Sequence, residues 1–173
     1  AFSARIESAR SEATDHGRTF FERLHWALGE KNPVDRAAIE NLARQIHDGS
    51  PNPIERFLPD LRTVATVFVR TPRGFQRVMS NLKDKSGGSV LGTVLEPGHP
   101  ALPALLAGEA ATGTVRLFGR DYMTNYRPII DRRGEVIGAT FVGIDLAESL
   151  ADLKTRIRGL KVGETGYYYI IDV

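Results

Sequence analysis

The sequence predicts an α+β domain, in which a five-stranded antiparallel sheet follows a long N-terminal helix and carries helices packed on one face. Three observations predict it. The first thirty residues repeat apolar side chains at steps of three and four, which is the helical period. A run rich in β-branched residues, "TVATVFVR", and a second extended run, "FQRVMSNL", flank the turn "TPRG", and three more extended runs with tight connections follow. A length of 173 residues with 42% hydrophobic residues suits one such domain, or one domain and an appendage.

The N-terminal third is predicted to contain three helices. The first ends near Gly29, and its stripe is Phe2, Ile6, Ala9, Ala13, Phe20, Leu24 and Leu28. The second has Asn32 as its cap, Pro33 at its first helical position and Gly49 as its stop. A third, of one or two turns, follows residues 52–53 and ends at Pro59.

The five strands are predicted in two groups. Residues 63–82 form a hairpin from "TVATVFVR" and "FQRVMSNL". A polar loop and a short helix, "PALPALLAG", lead to an antiparallel meander of "TGTVRLFG", "DYMTNYRPII" and "EVIGATFVGID". A further helix and an extended "KVGETGYYYIIDV" end the chain. The short helix and one sheet face are left to enclose a cavity.

The composition excludes several classes of function. The chain has no Cys, which excludes disulfides, thiolate metal sites and a Cys nucleophile. A net charge of +2 without a basic stripe argues against nucleic-acid binding. None of the four His residues has an i, i+4 partner for a helical metal site, so we expect no metal site. No catalytic constellation is visible either, so we expect neither an enzyme nor a cofactor.

The two ends of the chain suggest a piece of a longer protein. The chain starts with Ala, ends on a strand and contains no apolar run of the ~18 residues that a membrane helix needs. We therefore expect any membrane segments to lie outside this sequence.

The segments "ATVFVRTPRGFQRVMSNL", "GTVLEPGHPALPALLAGEA" and "TGTVRLFGRDYMTNYRPIIDRRGEVIGATFVGID" resemble the Cache sensor modules of bacterial methyl-accepting chemotaxis receptors. These modules are extracytoplasmic relatives of PAS domains. The resemblance covers roughly residues 63–146. It implies a PAS-like five-stranded antiparallel sheet, a long N-terminal helix that descends from a membrane segment, and a pocket for a small molecule. Similar modules occur in sensor kinases and cyclases, so the output domain stays open.

The resemblance also suggests how the chain divides. Residues 1–62 form the N-terminal helical region, residues 63–146 the Cache core, and residues 147–173 a C-terminal helix and terminal strand. The last of these segments resembles the opening of a second Cache module. The alternatives are the final strand of this domain, or a strand exchanged with a partner chain.

Strand alternation selects the first candidate ligand-binding residues. Tyr122, Thr124 and Tyr126 share one face of their strand, where aromatic walls and hydroxyl groups suit a small polar anion. The alternative is that both Tyr residues are ordinary sheet residues.

The hairpin and the next strand supply polar and aromatic candidates. Arg77 is the natural partner of a ligand carboxylate because its planar fork matches two oxygens; the alternative is a solvated side chain. Alternation places Arg77 with Phe75 and Met79, and Ser80 is a further donor. Phe118 lies on the same strand face as Arg116, which either lines the pocket wall or is solvated.

Two more candidates lie near turns. His99 precedes the short helix over the cavity mouth, where it contacts either a ligand or a backbone group. Asp145 ends the last strand. The resemblance implies that an acid there captures an ammonium group in amine-binding relatives, whereas the following residues favour an N-cap.

These observations predict the periplasmic sensing portion of a receptor in the bacterial inner membrane. The expected ligand is a short carboxylate such as acetate, propionate or a small dicarboxylic acid. Its binding orders the loop of residues 87–100 and shifts the long helices. We expect a homodimer through the first helix, because its apolar stripe is too long for one small sheet to cover. The alternatives are a sensor of a kinase or cyclase, and a ligand-free interaction module that contacts a periplasmic binding protein.

Overall fold

The computed structural model describes residues 2–29, 34–45, 53–60 and 62–148. Its elements are α1 (Phe2–Gly29), α2 (Arg36–Arg44), a 3₁₀ turn (Pro53–Phe57), β1 (Val64–Thr71), β2 (Gly74–Ser80), α3 (Leu102–Leu106), β3 (Ala111–Leu117), β4 (Arg120–Ile130) and β5 (Val136–Asp145). This is the predicted order. The predicted extended segment at the end of the chain and most of the preceding helix lie outside the described residues.

The five strands form one antiparallel sheet in the order β2-β1-β5-β4-β3. The predicted hairpin (β1–β2) and the predicted meander (β3–β4–β5) meet where β1 pairs with β5. The structure confirms the predicted α+β class and the five-stranded antiparallel sheet.

The long helix α1 covers one face of the sheet. Its stripe residues Phe20, Leu24 and Leu28 pack among buried side chains of β1, β4 and β5, whereas Ala9 and Ala13 pack on Met123 of β4. The expectation that this stripe is too long for the sheet is wrong. Strand β4 has 11 residues and spans ~37 Å, close to the ~42 Å of a 28-residue helix.

Helix α2 starts later than its sequence pattern predicts. Asp35 is the N-cap, and its carboxylate accepts a 2.7 Å hydrogen bond from the Ala38 N–H. The prediction of Asn32 as the cap is therefore wrong, because a nearer acid satisfies the free amide of the first turn. The predicted stop at Gly49 lies outside the described residues.

The opposite face of the sheet is covered by residues 83–101, which we call the lid, and by α3. Leu95 of the lid and Leu105 of α3 pack with Phe68, Tyr126 and Phe141 of the sheet. The sheet therefore separates α1 on one face from the lid on the other. Within the described part of the chain, no helix is long and apolar enough to cross a membrane.

Candidate functional site

A buried arginine lies between the sheet and the lid. Arg77 of β2 is 5% exposed, and its Nη1 donates a 2.9 Å hydrogen bond to Thr93 Oγ1 of the lid. Its Cζ atom lies 5.2 Å from the centre of the Phe68 ring and 5.5 Å from that of Phe118. Aromatic faces attract a cation, so the two rings hold the guanidinium in the interior.

Among the residues that the structure describes, this guanidinium has no anionic partner, since no carboxylate forms an ion pair with Arg77. Its Nε atom is buried without a hydrogen-bond partner. Burial lowers the pKa of Arg77, the direction expected for a cation withdrawn from water. An uncompensated buried charge is expensive, so the site favours a bound anion.

A histidine–tyrosine pair borders this arginine. Nδ1 of His99 accepts a 3.1 Å hydrogen bond from the Ala101 N–H, and Nε2 lies 3.1 Å from the Tyr126 hydroxyl. Because Nδ1 accepts, the proton of the neutral ring is on Nε2, which donates to the Tyr126 oxygen. Burial, and next the charge of Arg77, lower the pKa of His99. His99 is therefore neutral near pH 7.

The direction of that hydrogen bond leaves the Tyr126 hydroxyl proton unused. Among the described residues no acceptor for it is present besides His99, which is the donor. Burial raises the pKa of Tyr126, so its hydroxyl keeps the proton. Among the described residues, Arg77 Nε–H thus has no acceptor, and neither does the Tyr126 O–H when His99 Nε2 donates to its oxygen.

A β-bulge decides which side chains of β2 face this cluster. Phe68 pairs with Arg77, but the preceding residue Val67 pairs with Met79, so Val78 is the extra residue. Met79 is therefore buried on the α1 side of the sheet, and the predicted sharing of a face with Arg77 is wrong. The bulge brings Ser80 to the face of Arg77, where its Oγ lies 2.8 Å from Thr66 Oγ1.

Strand β4 presents its three predicted residues to the lid face, but they differ in what they contact. Tyr126 joins the arginine cluster through His99. Tyr122 is buried farther along the strand, beside Leu82 and Val90. The Thr124 hydroxyl lies between them and donates a 2.7 Å hydrogen bond to the Gly113 carbonyl. The hydroxyl proton of Thr124 is therefore used in a hydrogen bond within the sheet.

Phe118 reaches Arg77 from a strained turn. Its φ of 48° lies in the left-handed region, which bulky residues rarely occupy, and Gly119 follows with a φ of 84°. This pair closes the tight β3–β4 connection and directs the Phe118 ring over the guanidinium. Arg116, by contrast, is exposed, which is the solvated one of its two predicted alternatives.

Asp145 is occupied by the protein itself. Its Oδ1 accepts hydrogen bonds from the Ala147 and Glu148 N–H groups, and its Oδ2 accepts one of 2.8 Å from Arg120. These contacts are those of the predicted N-cap. A ligand ammonium group would have to displace Arg120 to reach this carboxylate.

The lid is fastened along the edge of β2. Leu95 N–H donates to the Phe75 carbonyl, Arg77 N–H donates to the Thr93 carbonyl, and Gly92 N–H donates to the Arg77 carbonyl, at 2.8–2.9 Å. Arg77 also forms part of the wall of an open groove between this edge and α2. The lid is therefore hydrogen-bonded to the edge of β2 on both sides of Arg77.

The sequence alone does not predict the contacts that Thr93 and Phe68 make with Arg77. Thr93 lies in the lid, 16 residues from Arg77, and its side chain carries no signal that predicts the contact. Phe68 is a buried strand residue, as its β-branched neighbours predict, but its ring also contacts Arg77. In the described residues, no group of three or more metal-ligating side chains is present.

The chain is similar to one protein-family model and to several solved structures. The model of the "Cache 3/Cache 2 fusion domain" matches residues 49–173. No curated protein matches the chain. Among solved structures, the sensor domain of E. coli DcuS is 16% identical with a TM-score of 0.49, covering 86% of this chain and 97% of that chain. The periplasmic sensory domain of the Campylobacter jejuni chemoreceptor Tlp1 is 12% identical with a TM-score of 0.41, covering 92% of this chain and 67% of that chain.

The PAS domain of Bordetella pertussis BvgS is 24% identical with a TM-score of 0.35, covering 72% of this chain and 98% of that chain. The match to the family model spans well over half of the chain. It includes every strand of the sheet and the lid. The chain therefore belongs to the Cache 3/Cache 2 fusion family of sensor domains.

Proposed function

We propose that this domain senses a small organic carboxylate, which binds in the cluster of Arg77, Tyr126 and His99. The observation that supports the proposal most is the buried guanidinium of Arg77 without an ion pair among the described residues. Keeping such a charge in the interior costs several kcal/mol unless it is compensated. A carboxylate supplies the missing charge and accepts from donors that the protein leaves unused.

Each residue of the cluster has a role in this proposal. Arg77 Nε–H and the Tyr126 hydroxyl donate to the carboxylate oxygens. His99 does not bind the ligand through charge; its Nε2–H fixes the direction of the Tyr126 hydroxyl. Phe68 and Phe118 flank the guanidinium and form apolar walls. Four other predicted residues surround the cluster without a direct role in binding, because their contacts lie within the protein or farther along β4: Ser80, Thr124, Tyr122 and Asp145.

Binding at this cluster would bias the position of the lid. Thr93 and His99 both belong to the lid, and each is hydrogen-bonded to a cluster residue of the sheet. A ligand shifts a conformational equilibrium only as far as its affinities for the two states differ. A carboxylate held by Arg77 and Tyr126 has its donors in place only when the lid is closed, so binding favours closure.

Strand β4 offers a route from the cluster to the long helix. Tyr126 faces the cluster, and its chain neighbour Asn125 faces α1, where its side chain fills the space beside Gly17. Asn125 also accepts from Arg127 Nε at 3.0 Å and donates to Thr112 Oγ1 at 2.8 Å. A movement of β4 at Tyr126 therefore reaches α1 through one residue of backbone.

The receptor context is part of the same proposal. We assign this domain to the periplasmic portion of a methyl-accepting chemotaxis receptor in the bacterial inner membrane, with the membrane segments outside this chain. The homodimer contact would use the outward side of α1, since its apolar stripe is covered. Residues 147–173 would open a second Cache module, after the helical region at 1–62 and the core at 63–146.

Two alternatives share this fold. A histidine kinase or cyclase would use the same sensor with a different output domain. A ligand-free module that contacts a periplasmic binding protein would need no buried arginine, so Arg77 favours direct sensing. No catalytic role is proposed for any of these residues.

A thermal-shift screen of the 173-residue chain against small carboxylates, amino acids and purines tests the proposal. A ligand at a hundred times its Kd stabilises the fold by about 2.7 kcal/mol. We expect a carboxylate to raise the Tm of the wild type and of Arg116→Met, a matched control whose side chain is 69% exposed. Arg77→Met should lose the shift. A carboxylate shift that survives Arg77→Met would refute the assigned site.

A further inference from the structure

We infer that the Arg77 site selects ligands that carry one negative charge and no ammonium group. This inference rests on the proposed function and narrows its ligand class. It follows from counting the buried charges around the cluster, because a buried site tolerates little net charge in either direction.

The cluster itself contributes a single positive charge. Arg77 is its cation. His99 is neutral, since Nδ1 accepts the Ala101 N–H, and Tyr126 is a neutral phenol because burial raises its pKa. One carboxylate on the ligand therefore brings the buried charge to zero.

An amino acid would bring a second cation into this site. The buried acid of the same sheet face, Asp145, is already bound to two backbone N–H groups and to Arg120. Glu96 is near enough to raise the pKa of Arg77 and of His99, but its side chain is exposed on the lid. Water around Glu96 screens its charge, so it is a poor anchor for a buried ammonium group.

A dicarboxylate would bring a second anion, for which the described residues offer no buried cation. Arg120 is bound to Asp145 and has a side chain that is 68% exposed. Lys85 lies close to the turn at Gly119, but it is exposed as well. Neither cation compensates a carboxylate next to Tyr126 in the interior.

The remaining walls of the cluster are apolar and mainly aromatic. Phe68 and Phe75 meet edge to face with ring centres 6.5 Å apart, and Tyr126 contacts Phe141 at 5.0 Å. Such walls suit the hydrocarbon body of a carboxylate, whereas a second polar group would lose its water without gaining a partner.

Matched ligands test this inference by isothermal titration calorimetry. The probes are 3-phenylpropionate against phenylalanine, which differ by the ammonium group, and propionate against alanine and succinate. We expect a monocarboxylate of each set to bind at least 100-fold more tightly than its amino-acid or dicarboxylate counterpart. Glu96→Gln should leave that preference unchanged, and Arg77→Met should abolish monocarboxylate binding.

The outcomes separate the two proposals. Binding of alanine, phenylalanine or succinate within tenfold of the monocarboxylate, and lost in Arg77→Met, would overturn the charge selection and leave carboxylate sensing at Arg77 intact. Loss of amino-acid binding in Glu96→Gln would show that the lid acid serves the ammonium group, which also overturns it. Absence of binding by every probe would overturn both proposals.

Discussion

At the scale of single residues, the protonation state of His99 links the lid to pH. A protonated ring would no longer accept the Ala101 N–H and would place a second cation near Arg77. Its pKa is lowered in the folded state, so the unfolded state binds more protons. The resulting stability is full above the unfolded pKa of ~6.5 and is lost as the pH falls from there through the folded pKa.

We therefore predict that the wild type loses more stability than His99→Asn as the pH falls from 7.5 to 5.5. The Asn side-chain oxygen can still accept the Ala101 N–H, but the side chain does not titrate. The extra slope in the wild type is at most about 1.4 kcal/mol per pH unit. Urea unfolding at several pH values measures it, and identical slopes for the two proteins would contradict the account.

Asp145 gives a second prediction at this scale. Replacing the capping carboxylate by Ala should lower the free energy of unfolding by about 1 kcal/mol, whereas Asp145→Asn should retain most of the cap. Both variants should keep the carboxylate affinity of the wild type within twofold. Chemical unfolding and calorimetry provide the two readouts, and a large loss of affinity in Asp145→Asn would place this residue in the binding site.

The sequence predicts part of the site at this scale. Alternation groups Tyr126 with Tyr122 and Thr124 on one face of its strand, and Arg77 stands out as a cation between apolar neighbours of its own strand. The resemblance to Cache modules is what suggests that these positions line a ligand pocket. The Thr93–Arg77 contact and the direction of the His99–Tyr126 hydrogen bond depend on how the lid folds back. Local sequence patterns do not encode such contacts.

At the scale of elements, α1 is held by two apolar patches with a polar contact between them. Ala9 and Ala13 form one patch, and Phe20 and Leu24 belong to the other. Between them, Gly17 lies so close to the sheet that an added Cβ would overlap the Asn125 side chain. Gly17 is thus required by close packing, although the sequence pattern shows it only as a gap in the stripe.

We predict that Gly17→Ala destabilises the domain by about 1–3 kcal/mol, the usual cost of overpacking. The higher helix propensity of Ala would by itself favour the variant by about 1 kcal/mol. Gly29→Ala is the matched control, because a Cβ there meets Val34 at an ordinary 3.5 Å. Thermal unfolding of the three proteins tests this, and a stabilised Gly17→Ala would show that α1 does not sit against Asn125 as described.

Element boundaries show where the sequence is a weaker guide. Periodicity predicts all five strands and α1 because those patterns are long. The start of α2 is harder to predict, because both Asn32 and Asp35 are residue types that cap helices. In the structure the N-cap is Asp35. The bulge at Val78 adds a single residue, which reverses the faces of Met79 and Ser80 without disturbing the apolar pattern.

At the scale of the whole molecule, the sheet separates the lid from α1. The lid contains Thr93 and His99, and α1 contains Gly17. Strand β4 contacts both sides through consecutive residues, Asn125 and Tyr126. Among the described residues, the buried Arg77 guanidinium has no ion-pair partner, and under the proposed function this charge lowers the stability of the domain until a carboxylate binds.

The most direct test of the account compares wild type with Arg77→Met, without and with the carboxylate identified by the screen. A Met side chain keeps an apolar contact with the Phe68 and Phe118 rings and removes the buried charge. Without ligand, we predict that Arg77→Met is more stable by about 1 kcal/mol or more. At a hundred times the wild-type Kd, the wild type gains about 2.7 kcal/mol and the variant gains none. An Arg77→Met variant that is less stable without ligand and responds to it as the wild type does would show that Arg77 serves the fold rather than ligand binding.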